Sequence, residues 1–228
     1  MGKMTLGGCM DAAVQLLNHY SMAGTLTPAS YNDQQDDLNR MVNLINDAQM
    51  EIATTSKPIP EYLEIEVPVL RRDIPTAEIK TAMPEDFINA TAIKFTPYAK
   101  GHRPIVTIDA PYYKWLNKDE LLVMNRPAGT YRVEYTRYPA RFDPLGLLGN
   151  KQERDALLAT ELDNTPDTHE AIPYYVAAMI ALDEHSKAYY ALYNVWETRL
   201  ARMGYKPPHA TVGFVDDVYG FDHFRGCW

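Results

Sequence analysis

Apolar residues recur along this 228-residue chain with two different periods, and the change of period divides it. Between Met10 and Tyr20, Ala13, Leu16, Leu17 and Tyr20 fall three or four apart, the spacing of one helix face, until Ser21-Met22-Ala23-Gly24 ends the run. A longer helix follows. Either Thr27 with Pro28 at its first position or Ser30-Tyr31-Asn32-Asp33 opens it, and it runs to about Thr55 on the stripe Leu38, Met41, Ile45, Ala48 and Ile52. Asp33, Asp36 and Asp37 sit in its first turns, where the helix dipole favours carboxylates without a ligand, and their spacing is not that of an EF-hand loop.

Lys57-Pro58-Ile59-Pro60 cannot continue a helix, and beyond it the period becomes two. Leu63, Ile65, Val67 and Val69 fall on one side and Glu64 and Glu66 on the other, which predicts a β region reaching about Pro139. Further strands are predicted over 77–81, 87–96, 103–108, 120–125 and 130–138, the last with Tyr131, Val133 and Tyr135 alternating with Arg132 and Glu134. Short strands so spaced suit a small antiparallel sheet or sandwich. Asp109-Ala110-Pro111 before Tyr112-Tyr113-Lys114-Trp115-Leu116 predicts a single helical turn with an aspartate cap.

From Phe142 to Thr168, Asp143-Pro144, Gly146, Gly149, Asn150 and Pro166 predict a connector with one short element near 155–162. Helical spacing then returns in Ile172, Val176, Met179 and Ile180. Ala177, Ala178 and Ala181 permit a close helix neighbour, and Pro173 requires a place in the first turn. After Asp183-Glu184-His185-Ser186 a second stripe, Tyr189, Tyr193, Trp196, Leu200 and Met203, runs to a C-cap at Gly204. Its periodicity assigns these aromatics to packing rather than to a cofactor. The remaining segment carries Pro207-Pro208 and three glycines, yet also Tyr205, Phe214, Val215, Val218, Tyr219, Phe221, Phe224 and Trp228. A solvated tail is polar and poor in aromatics, so this one is expected to be buried against its own body or another chain.

Composition narrows the function classes. The apolar fraction of 46% is that of a folded protein, while 22 basic against 30 acidic side chains give a net charge of −8, which argues against tight nucleic-acid binding along a basic face. Cys9 and Cys227 lie near opposite ends with no CxxC, which fits neither a zinc knuckle nor a disulfide-stapled secreted fold, and predicts a reducing compartment. The first ten residues lack the apolar core of a signal peptide, and the best apolar stretch, Ala171 to Leu182, is too short to span a bilayer.

Signatures of chemistry are scarce. There is no GxGxxG, Walker A, GxSxG or HExxH string, and the glycines never cluster into a phosphate cradle. His19, His102, His169, His185, His209 and His223 are scattered, with no two on one helix face beside a carboxylate, and His19 and His185 read as helix-end residues. The nearest metal constellation is Asp216, Asp217, Asp222 and His223, hard carboxylates with an imidazole, but it lies in the glycine-punctuated tail without rigid support. Cys9 and Cys227 read as passive thiols. Basic residues concentrate at Arg71-Arg72, between Lys94 and Arg103, and at Arg137 with Arg141. They read either as solvated surface charge or as contacts between subunits, for which Arg is the favoured partner.

Four stretches carry a resemblance. They are Leu38-Asn39-Arg40-Met41-Val42-Asn43-Leu44-Ile45-Asn46-Asp47-Ala48-Gln49-Met50-Glu51-Ile52, Met83-Pro84-Glu85-Asp86-Phe87-Ile88, Ala171-Ile172-Pro173-Tyr174-Tyr175-Val176-Ala177-Ala178, and Gly129-Thr130-Tyr131-Arg132-Val133-Glu134-Tyr135-Thr136-Arg137-Tyr138-Pro139 with its Tyr-x-x-Tyr-Pro ending. Taken in chain order, with Gly129–Pro139 lying between the second and third of these, the set resembles the head-tail adaptor, or connector, proteins of tailed bacteriophages, including the tail tubular A type. The resemblance implies an α+β fold in which N- and C-terminal helices (1–57 and 143–204) form a bundle around an inserted small antiparallel β domain (58–142), followed by an extended C-terminal tail (205–228).

It also implies a structural role rather than an enzymatic one, with no cofactor. The implied protein is a homo-oligomeric ring of about twelve copies in the virion at the head-tail interface, assembled in the bacterial host cytoplasm. It would dock beneath the portal protein, extend the channel through which DNA passes without specific binding, and present a platform to a downstream tail, stopper or nozzle protein. The tail anchors named above would contact portal or neighbour; Arg71, Arg72, Arg103, Arg137 and Arg141 would lie between subunits. The alternatives are a tail terminator or stopper, expected to be mainly β, and a metal-dependent hydrolase using Asp216, Asp217, Asp222 and His223.

Overall fold

The computed structural model of the chain describes residues 3–20, 31–68, 78–98, 107–110, 113–124, 128–183 and 188–203. Among them lie five α-helices and two antiparallel sheets, an α+β fold. The change of period in the sequence marks a physical division: the described residues up to Lys57 and from Phe142 onward make one unit, and Pro58–Arg141 a second.

The first unit is a helical bundle of α1 (Leu6–Tyr20), α2 (Tyr31–Glu51), α3 (Lys151–Leu158), α4 (Ile172–Asp183) and α5 (Ala188–Arg202). α4 packs against α1, α2 and α5. Its sequence suits that place, because Ile172, Val176, Ala177, Ala178 and Ala181 bury several sides of the helix rather than one stripe. Pro173 falls in its first turn, where no helical hydrogen bond is lost. α1 contributes Leu6, Cys9, Met10, Ala13 and Leu17; α2 contributes Met41, Val42, Ile45 and Ala48. On α5 the buried row is Leu192, Trp196 and Leu200, whereas Tyr189, Tyr193 and Met203 are half-buried at its margin. Leu192 completes a row at intervals of four that the tyrosine stripe passes over. Full burial of a side chain the size of Leu200 contributes about 1.5–3 kcal/mol.

α2 ends differently from its beginning. Ile52–Ser56 form a π-helical turn in which the Lys57 N–H reaches back to the Ile52 carbonyl at 2.8 Å, and the Thr54 hydroxyl donates to the Met50 carbonyl at 2.8 Å. These hydroxyl bonds to the preceding turn loosen the helix just before Pro58 stops it.

The connector holds a 3₁₀ turn, Pro144–Leu148, capped by Asp143, and then α3. The short element predicted near 155–162 therefore begins four residues earlier. The reason is a capping box: Asn150 Oδ1 accepts from the Glu153 N–H at 3.0 Å while Glu153 Oε2 accepts from the Asn150 N–H at 3.1 Å. α1 likewise begins four residues earlier than its apolar run, because Thr5 bridges to Glu161 and the Leu6 N–H donates to the Thr160 carbonyl at 2.8 Å.

The second unit holds two sheets. In the first, β1 (Ile59–Val67), β7 (Gly129–Arg137), β3 (Phe87–Pro97) and β4 (Ile108–Asp109) lie in the order β1-β7-β3-β4. In the second, β2 (Glu78–Ala82), β6 (Glu120–Met124) and β5 (Tyr113–Asn117) lie in the order β2-β6-β5. One core joins their inner faces: Ile65, Val67, Ile93, Phe95, Tyr131, Val133 and Tyr135 from the first, Leu121 and Val123 from the second. Phe95 and Tyr131 stack at 4.8 Å between ring centroids.

The helical turn predicted over Tyr112–Leu116 is corrected by this sheet. Tyr113–Asn117 is β5, paired antiparallel with β6 through the two-residue turn Lys118-Asp119. Trp115 packs on Phe87 at 5.9 Å, so tertiary burial of an aromatic strand overrides the local aspartate cap. Of the strand predicted over 103–108, residues 103–106 lie outside the described residues.

Candidate functional site

Most residues singled out by sequence fall outside the described residues. These are the tail positions Tyr205, Phe214, Val215, Val218, Tyr219, Phe221, Phe224 and Trp228; the metal-like group Asp216, Asp217, Asp222 and His223; and Arg71, Arg72 and Arg103. Among the described residues no group of three or more His, Cys, Asp or Glu side chains could hold a metal ion. None of their helices is long and apolar enough to cross a membrane.

Arg137 and Arg141 are described, and they differ. Arg137 ends β7 with a side chain only 18% exposed, its Nε 3.7 Å from Glu61 Oε2 and 3.9 Å from Asp86 Oδ2, while Nη1 donates to the Tyr138 carbonyl at 3.0 Å. The Tyr138 N–H in turn donates to the Asp86 carbonyl at 2.7 Å. The guanidinium thus ties the ends of β1 and β7 to the turn before β3. Burial raises the neighbouring Tyr135 phenol above its ordinary pKa, the carboxylates of Asp86 and Glu61 raise it further, and Arg137 opposes them. Arg141 is exposed.

The outward face of the four-stranded sheet carries a shallow polar basin of about 590 Å³ lined by Glu64, Lys94, Thr96, Thr107, Thr130, Arg132 and Glu134. Register builds it: Glu64, Arg132 and Lys94 stand opposite one another on β1, β7 and β3. Lys94 Nζ lies 2.9 Å from Glu134 Oε1, Arg132 Nε 3.8 Å from the same oxygen, and the Arg132 guanidinium 3.9 Å from the Tyr62 ring centroid. Two cations face two carboxylates. The basin is charge-balanced and selects for neither a phosphate nor a cation.

The bundle carries a smaller cleft of about 320 Å³ lined by Met4, Leu16, Pro173, Tyr174, Glu170 and Arg199 among others. Its one cation is engaged: Arg199 Nη1 donates to Glu170 Oε2 at 3.1 Å, and the guanidinium lies 4.7 Å from the Tyr174 ring centroid. Cys9 is buried in the same unit, and burial pushes its thiol up to about 12, so it holds no thiolate for chemistry.

One histidine has a definite role that scattered spacing conceals. His169 is 2% exposed, its Nδ1 accepts from the Met4 N–H at 3.0 Å, and its Nε2 lies 2.7 Å from the Asn164 carbonyl oxygen. Only the neutral tautomer with hydrogen on Nε2 satisfies both contacts. It clamps the segment before α1 to the connector, a positioning role rather than a catalytic one. The partners lie 165 and 5 residues away; no local motif signals the distant one.

Comparison with models of known protein families and with curated proteins finds no match to this chain.

Proposed function

We propose that this chain is a non-enzymatic virion protein, a head-tail adaptor that forms a ring under the portal of a tailed bacteriophage, extends the DNA channel and receives the next tail component. The observation that carries this reading is architectural. The described residues up to Lys57 and from Phe142 onward make one helical unit, and the intervening Pro58–Arg141 makes a separate antiparallel β unit, the order along the chain that the resembling stretches imply. The net charge of −8 supports it, since a channel for sliding DNA must avoid the counterion-release affinity of a basic lumen. The proposed contacts are helix packing between copies and docking of Tyr205 to Trp228 on the portal or a neighbour. The terminator or stopper alternative calls for a mainly β chain, against which α4 and α5 weigh.

Quantitative mass spectrometry of purified particles tests the reading. About a dozen copies per particle is the expected result, one closed ring at a single vertex. Hundreds of copies would mean a tube or decoration protein, and absence from particles would end the adaptor reading.

A further inference from the structure

β1 and β5 are outer strands of their sheets, and among the described residues neither has a strand along its other side. Such an edge presents backbone donors and acceptors ready to pair with another chain. On β1 the direction of these groups follows from two observations. Pro60 has no N–H to give to β7, and the Tyr62 N–H donates to the Glu61 carboxylate at 3.2 Å. Pro60, Tyr62, Glu64 and Glu66 therefore turn their backbone groups outward, and the odd-numbered residues bond to β7.

The charges on the two edges are opposite. β1 carries three carboxylates, Glu61, Glu64 and Glu66, and no cation; β5 carries Lys114 and no carboxylate. Among the described residues Glu61 is paired with Arg137, and no ion pair reaches Glu64 or Glu66. Pairing of β1 with a second β1 would gather three carboxylates from each copy along one seam with no cation between them, which disfavours the two-fold arrangement. Of the other outer strands, β4 is two residues long and β2 carries Glu78 beside Lys80, so β5 is the complementary edge. It buries none of its residues fully, and it exposes Tyr113 (45%) and Leu116 (39%), apolar area that a paired strand would cover.

We propose that this chain self-associates by head-to-tail strand addition, the β1 edge of one copy pairing with the β5 edge of the next. Because the two edges are different surfaces of the same unit, each added copy leaves one of each kind open, and the series ends only when it closes on itself. Closure into a ring rests on the adaptor reading above; the pairing rests on the two edges alone.

Sedimentation velocity of the full chain across a concentration series, with Glu64→Pro, Lys114→Glu and the double variant Glu64→Lys/Lys114→Glu, tests it. Glu64→Pro removes an outward N–H without taking a bond from β7, and Lys114→Glu reads the same contact from an exposed strand. The wild type is expected to form concentration-dependent multimers. Each single variant should weaken association about tenfold or more, with far-ultraviolet circular dichroism unchanged, and the charge swap should restore it. A wild type monomeric at every concentration, or multimers that the single variants leave unchanged, would overturn the pairing. Neither result alters the copy number per particle, so failure of the pairing and failure of the adaptor reading are separately visible.

Discussion

The side-chain amide of Asn46 and the backbone of Phe142 exchange two hydrogen bonds: Nδ2 donates to the Phe142 carbonyl and Oδ1 accepts from its N–H, each at 2.9 Å. The pair joins α2 to the first residue with which the chain re-enters the bundle, 96 positions later. Both partners are more than nine-tenths buried, so water cannot replace either bond.

Asn46→Ala should therefore destabilise the bundle by about 2–4 kcal/mol, since two buried backbone groups lose their partners together. Chemical denaturation measures it. A loss below about 0.5 kcal/mol, the scale of an ordinary surface change, would mean that the strand-like clamp is not what closes the bundle.

The second clamp is His169. Replacement by Ala leaves the Met4 N–H and the Asn164 carbonyl unpaired and should cost about 2–4 kcal/mol. Hydrogen exchange localises the effect: the Leu6 and Leu162 amides, which bond to Thr160 and Met4, should exchange faster, while those of α5 should follow only the global change. Uniform acceleration across the bundle would mean that His169 is packing material rather than an anchor for the first residues.

What the sequence discloses and what it hides have the same cause. α2, α4 and α5 are visible because Met41, Ile45 and Ala48, or Trp196 and Leu200, bury surface at the helix period, and a period is local information. β1 and β7 are visible for the same reason at period two. Asn46 and His169 are invisible because a buried polar residue is explained only by its partner, and theirs are far along the chain. β5 is misread because Asp109-Ala110-Pro111 is a sound local signal that the packing of Trp115 on Phe87 outweighs. The open edges lie between these cases. Pro60 and the three glutamates of β1 are edge-strand features legible in sequence, but only the sheet order shows which side they guard. The aromatic tail and three of the five candidate arginines lie outside the described residues.

Gly129 opens β7 where the strand crosses Phe95 and Thr96 of β3. A Cβ there would stand 2.6 Å from Phe95 Cε2 and against the Thr96 carbonyl oxygen, and the backbone oxygen cannot rotate away. Gly129→Ala should destabilise the β unit by about 1–3 kcal/mol, the usual result of overpacking. Phe95 and Tyr131 share one stack, so near-ultraviolet circular dichroism should change with it. An unchanged spectrum with full stability would show that β7 shifts freely at its start.

Glu51 closes α2 beside Glu197 of α5, and burial first, then the Glu197 charge, raises its carboxyl above the ordinary value. The negative end of the α2 dipole acts in the same direction. A carboxyl raised on folding holds its proton more tightly in the folded state. Its favourable contribution is present below the unfolded pKa and is lost as pH rises through the folded one. At neutral pH the ionised group thus works against the bundle. Tyr175 feels the same charge, its phenol pushed up to about 12 by burial, then by Glu51 and Asp47. Glu51→Gln should accordingly raise the melting temperature at pH 7, lose that advantage at a pH below the ordinary carboxyl range, where the wild-type group is protonated folded or unfolded, and lower the Tyr175 titration. Thermal melts at the two pH values with an ultraviolet titration decide it. An equal gain at both would trace the effect to packing, since a charge penalty must vanish with the charge.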